Sequence, residues 1–239
     1  MEMGSRIDKN DVDISRLFYY SDKFEIKGKN NKTLPVYVRL VGDAELNQAR
    51  VFALRESAKL RQKLKNPDSD EYLAYIPDFS LMNKHTLIQT LLSAKMTDFM
   101  REATKNTKFN IPIEPNSDAS LEEQEEYQLE VDNFDNEYNR KFNEELEKII
   151  KREEDVYKSW SEEELRNECI RQTINQICEM YMIDRFRTMC VYFGTYKDQN
   201  FKEKLFKSFD EFDNLPKDIK EQFFMAYNKL EISETELKK

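Results

Sequence analysis

Residues 121–158 place Tyr127, Val131, Phe134, Tyr138, Phe142 and Ile149, and then Val156 and Trp160, at spacings of three, four and seven. That is the pattern of one narrow helical seam. Ser120-Leu121-Glu122-Glu123 opens it as a capping box, with the serine oxygen on the N3 amide and Glu123 reaching back to the cap amide. About 40 helical residues extend roughly 60 Å, too long for the core of one compact domain. The stretch should project as an arm, fold back at a kink, or lie against a partner helix. Charge collects in the same place. Residues 118–164 hold 18 Asp and Glu against 6 Lys and Arg, so this region carries −12 and the rest of the chain +3, for −9 overall.

The flanking sequence supplies the apolar material. Sixteen Phe and twelve Tyr separate the chain from disordered sequences, although 36% of its residues are charged. Four Gly and six Pro are too few for the turns and phosphate loops of doubly wound α/β folds or β-sandwiches. A mostly α fold follows, with one β exception near the start. After the cluster Leu17-Phe18-Tyr19-Tyr20, Phe24 and Ile26 alternate with charged residues; then Gly28-Lys29-Asn30-Asn31 reads as a turn and Pro35–Val41 as a second strand. Such a β-hairpin is marginal alone and must pack on helices or pair with another chain. Asp43 begins a helix to about Lys65, with Leu46, Ala49, Ala53, Leu60 and Leu64 on one side and Arg50, Arg55, Lys59, Arg61 and Lys63 opposite. A short helix over 70–76 and a longer one over 81–105 follow, and then a linker over 106–119. Past the arm, a second capping box at Ser161 starts a helix that stops at Gly194, read as its C′ residue. Helices over 199–209 and from Pro216 complete the chain, with a frayed tail from Glu231. Three regions result: 1–105 with the hairpin and helices, 106–160 with the linker and acidic arm, and 161–239 as a C-terminal helical subdomain.

No catalytic constellation assembles. The single histidine, His85, is flanked by Lys84 and Thr86 inside a helix; Cys169, Cys178 and Cys190 are expected as core thiols. No Walker loop, dinucleotide fingerprint or Glu-x-x-His pair is present, and the acidic runs are most simply helix starts. No metal, cofactor or catalytic residue is expected. A net charge of −9 argues against a general nucleic-acid binder, and no apolar run approaches the ~20 residues of a membrane span. Met1 to Asn10 lacks an apolar signal core, which fits a cytoplasmic location. Large apolar residues crowd 201–230, and Phe206, Phe209, Phe212, Phe223 and Tyr227 are the candidate partner-binding residues.

Tyr37-Val38-Arg39-Leu40-Val41-Gly42-Asp43-Ala44-Glu45 resembles the start of tail assembly chaperones of long-tailed bacteriophages, where a small β element leads through valine–arginine and glycine into an acidic helix start. Phe209-Asp210-Glu211-Phe212-Asp213-Asn214-Leu215-Pro216, with Tyr227 and Leu230, is similar to their ends, where leucine–proline opens a short amphipathic helix. The likeness covers about 24–65 and 205–232; the arm lies outside it and departs from that family. The Lys/Asn/Glu/Phe-rich usage looks like that of an AT-rich phage genome. The resemblance implies a non-enzymatic protein in the bacterial host cytoplasm that binds the tape measure protein or tail tube protein before tail polymerisation. The alternative is a structural or scaffold protein of a virion that forms intersubunit helical contacts, and a homo-oligomer is compatible with either.

Overall fold

The computed structural model describes residues 21–28, 32–107, 112–115 and 120–237, with side chains to Glu231. The Leu17–Tyr20 cluster, the turn residues 29–31, linker residues 108–111 and 116–119, and the tail side chains lie outside the described residues. The architecture is mostly α: a small N-terminal hairpin packed with helices, and two long helices, the first of them acidic; the C-terminal helices do not stand as a subdomain of their own. The chain divides into two compact units. One joins the first 63 residues to Ile177–Lys239; the other is Leu64–Gln176.

In the first unit, β1 (Ser21–Lys27) and β2 (Thr33–Arg39) pair antiparallel, Phe24 opposite Val36 and Ile26 opposite Leu34. Alternation sends Ile26, Val36 and Val38 inward. They meet α8 (Lys217–Leu237), from the other end of the chain, through Phe223, Ala226, Tyr227 and Leu230. The Gln222 side chain takes the Lys27 N–H at 2.8 Å and donates to its carbonyl at 3.0 Å, satisfying both backbone groups at the open edge of β1. Next comes α1 (Asp43–Leu64), with Ala49, Ala53 and Leu64 buried as its stripe predicts. The second half of α6 (Glu162–Gly194) adds Cys190 and Val191 to the core of this unit.

Gly194 is the last helical residue of α6, and no described glycine has a positive φ, so it is not a left-handed cap. Its purpose is steric. A Cβ there would lie 2.4 Å from the Arg39 carbonyl oxygen and 2.9 Å from the Tyr227 ring. The chain then forms a two-residue strand, β3 (Thr195–Tyr196), on the far side of β2.

The helix expected over 199–209 is absent. Only α7 (Phe209–Asp213) forms there, capped by Ser208. Asp198 explains the loss: its carboxylate accepts the N–H groups of Asn200 (2.8 Å), Lys202 (3.2 Å) and Glu203 (2.7 Å), bonds that compete with a helical ladder. Phe201 completes the loop at φ 56°, and Tyr196 bridges to Lys204. At the other end of the region, α8 runs past Glu231 to Leu237 where fraying was expected.

In the second unit, α2 (Asp70–Tyr75) and a 3₁₀ turn (Phe79–Leu81) precede α3 (Lys84–Ala94) and α4 (Met96–Asn106). The single helix expected over 81–105 is thus two. Asn83 caps the first through Thr86 N–H, and the chain breaks at Lys95, whose Nζ sits 3.1 Å from Glu153. Leu87, Ile88, Leu91, Leu92, Phe99 and Ala103 are buried where α3 and α4 lie against α5 (Leu121–Lys158), which buries Ile149 and Tyr157; Leu165, Cys169 and Ile174 of α6 are buried too, and the Cys169 thiol reaches the Leu87 carbonyl. Tyr157 takes the inward place expected of Val156, which is 45% exposed. The capping box at Ser120 is formed, with both reciprocal bonds present. From Leu121 to Lys148, about 42 Å of helix, α5 has no buried residue.

Candidate partner-binding site

Four of the five candidate residues turn out to be core. Phe206 is 8% exposed, Phe212 0%, Phe223 2% and Tyr227 5%. Phe206, Phe212 and Phe223 form a ring triangle with centroids 5.1, 5.5 and 5.8 Å apart. The Tyr227 hydroxyl accepts the Val41 N–H at 3.3 Å. The fifth, Phe209, is half-buried: Phe52 meets its edge at 4.8 Å and Tyr192 at 5.7 Å, while the Arg185 guanidinium lies 4.9 Å from its centroid. Arg185 in turn grips Asp213 through two bonds of 3.1 and 2.7 Å, and Lys220 adds a third at 3.0 Å. Burial disfavours the Asp213 carboxylate, but these two cations outweigh it and hold its pKa below the usual range. Phe206, Phe212, Phe223 and Tyr227 are committed to the core, and Phe209 is partly covered by Phe52, Tyr192 and Arg185.

The Val38–Glu45 motif likewise has an internal partner set. Arg39 donates to both Glu45 oxygens at 2.7 and 2.9 Å and to the Tyr196 hydroxyl at 2.8 Å. Glu45 also accepts the Gly42 N–H. This pins β2 to the first turn of α1, where an acid is favoured by the helix dipole. Lys204 enters the same cluster, donating to the Tyr196 hydroxyl at 2.7 Å and to the Phe193 carbonyl. Burial pulls its pKa down to about 8, although Glu45 opposes the shift from 3.9 Å. One carboxylate thus serves two cations.

Apolar surface is exposed elsewhere on this unit. Between the second half of α6 and α8 lies an open groove of ≈ 580 Å³, lined by Met180, Ile183, Phe224 and Met225, with Asp184, Arg187 and Glu221 at its rim. Met180 is 72% exposed, Met225 63% and Ile183 49%. A second, of ≈ 730 Å³, lies where Ile26 and Leu34 of the hairpin face Leu215, Ile219 and Phe223. Sequence reasoning missed the first groove, although α6 is apolar nearly all round in its second half, and one core contact cannot cover every side of a helix.

Among the described residues, no group of three or more His, Cys, Asp or Glu could hold a metal ion. His85 is exposed. Burial pushes the Cys169 thiol up to about 11 and the Cys190 thiol up to about 12, the opposite of an activated nucleophile. No described helix is long and apolar enough to cross a membrane. No known protein family, curated protein or solved structure matches the chain.

Proposed function

We propose that this protein is a non-enzymatic assembly chaperone of the long-tailed phage type, acting in the bacterial host cytoplasm on the tape measure protein or on tail tube subunits. The observation that carries the reading is the groove between α6 and α8. Two exposed methionines beside Ile183 and Phe224 offer a deformable apolar trough that suits one face of an amphipathic helix. A chaperone must hold such a face and later release it, and flexible Met-rich surfaces tolerate many sequences. Asp184 and Glu221 at the rim would steer a client with basic flanks. Neither nucleic acid nor membrane is a partner in this reading.

Co-expression with a tape measure protein encoded in the same genome, followed by pull-down, tests the proposal. Met180→Glu with Met225→Glu should abolish capture while the far-UV spectrum stays unchanged. Capture that survives this change refutes the groove. Deleting 201–239 is not a usable test, because that segment supplies Phe206, Phe212 and Phe223 to the core. The second reading, a structural protein of the virion, is favoured by the 28 residues of α5 without a buried side chain, which suit an intersubunit contact. Stoichiometric protein in purified mature particles would support it against the chaperone, which should have left.

A further inference from the structure

Two exposed helical stripes of this chain complement each other. On α1, Val51 and Leu54 are 47% and 52% exposed, and Ala58 continues their line. Exposed Arg50 and Arg55 flank them. Residues 47–65 carry six Lys and Arg against Glu56 alone, and Glu56 is engaged by Lys59 at 2.6 Å. On α5, outside the Phe134–Phe142 seam, Leu121 and Leu129 are 79% and 63% exposed. Glu122, Glu125, Glu126 and Asp132 surround them, all exposed. Residues 121–144 carry nine acids against Arg140 and Lys141.

Each stripe pairs apolar side chains with charge of one sign, and the signs are opposite. Leu121 and Leu129 are eight residues apart, about 12 Å along the axis; Val51 to Ala58 covers about 10 Å. The apolar steps therefore match in length, and carboxylates beside one step can meet guanidiniums beside the other. A stripe of one sign cannot pair with itself, since like charges would be pressed together.

We infer that a second copy of this chain is the occupant: the acidic outer stripe of α5 in one copy docks on the basic stripe of α1 in another. One such helix pair is well below the ~800 Å² per partner of a standard interface. Reciprocal exchange, arm to α1 in both directions, doubles the contact and closes a two-fold dimer, whereas one-way exchange propagates. The inference stands apart from the client reading, because it uses neither the groove nor a partner protein.

Light scattering after size exclusion, on the full chain over about 1–100 µM, tests it. The expected result is a dimer or larger species at ~0.05 M salt whose dissociation constant rises at least about tenfold at ~0.5 M. Arg50→Glu with Arg55→Glu should leave a monomer, as should Glu125→Arg with Asp132→Arg. An equimolar mixture of these two reversed variants should regain a mixed complex, because the native acidic arm of one meets the native basic α1 of the other, and the reversed arm, now basic, meets the reversed α1, now acidic. Combining all four changes in one chain should restore self-association. A monomer at every concentration in low salt overturns the inference, and so does association that either reversed pair leaves intact. Retained circular dichroism in each variant separates loss of docking from loss of fold.

Discussion

The hairpin core and the outer half of α5 are stabilised by different means. In the first, Val36, Val38 and Phe212 are fully buried, and an ion pair with a tyrosine locks strand to helix. In the second, no side chain from Leu121 to Lys148 is buried. There the helix relies on its capping box, on Glu137–Lys141 and Arg140–Glu144 pairs at 2.6 Å, and on Phe134, Tyr138 and Phe142 stacked at 6.0 and 6.1 Å. Pairs of this kind contribute only ~0.2–0.5 kcal/mol each. The core is maintained by distant contacts and fails cooperatively; the outer arm, with no buried side chain, depends more on near neighbours and fails more locally.

The comparison breaks most decisively at Phe212. Phe212→Ala should destabilise the hairpin unit by about 3–5 kcal/mol, from lost transfer energy plus a cavity. Denaturant titration would read this as a lower midpoint, and hydrogen exchange in α5 from 121 to 144 should be unaltered. Next in size is Phe142→Pro, costing the arm about 3 kcal/mol or more by removing a helical bond. Circular dichroism should lose helix while the hairpin core keeps its exchange protection; unchanged helicity would mean that the outer arm is not held as one helix. Gly194→Ala should cost about 1–3 kcal/mol, since the new methyl meets the Arg39 carbonyl and the Tyr227 ring and one must move. An Ala in an unobstructed helix would instead be slightly stabilising, so the sign alone decides. Smallest is Ser120→Ala, about 1 kcal/mol through loss of the cap, seen as faster exchange in the first turn of α5 only.

Titration sharpens the same contrast. Lys204 has its pKa near 8 in the folded chain against an ordinary 10.5, so between these values the unfolded chain binds more protons. Stability should therefore rise as pH climbs from 8 toward 10. Below 8 the lysine is charged in both states and its burial penalty is full. Above 10 Tyr196 and Tyr227, kept protonated by burial, begin to oppose the gain. Lys204→Met should flatten the rise, and a rise that persists would assign it to another group.

What could be read from sequence follows the range of the interactions. The arm was legible because Ser120 and Glu123 cap it locally and Phe134, Tyr138 and Phe142 repeat at helical spacing. The hairpin was legible from the alternation around Phe24, Ile26, Val36 and Val38. The 199–209 segment carried helical spacing too, but a single carboxylate, Asp198, captured three amides that the helix needed. Phe206, Phe212 and Phe223 looked available because their neighbours are Ile26, Val36 and Val38, nearly two hundred residues earlier. By sequence Gly194 reads as a left-handed cap; in the fold it is its lack of a side chain that matters.

The Lys27–Gln222 and Val41–Tyr227 bonds close across 195 and 186 residues. A chain made from its N-terminus exposes the hairpin to the cell long before α8 exists. The inserted unit, by contrast, is complete once residue 176 has emerged. Synthesis therefore imposes an order that equilibrium does not: residues 64–176 are free to fold first, and Ile26, Val36 and Val38 wait until α8 has left the ribosome.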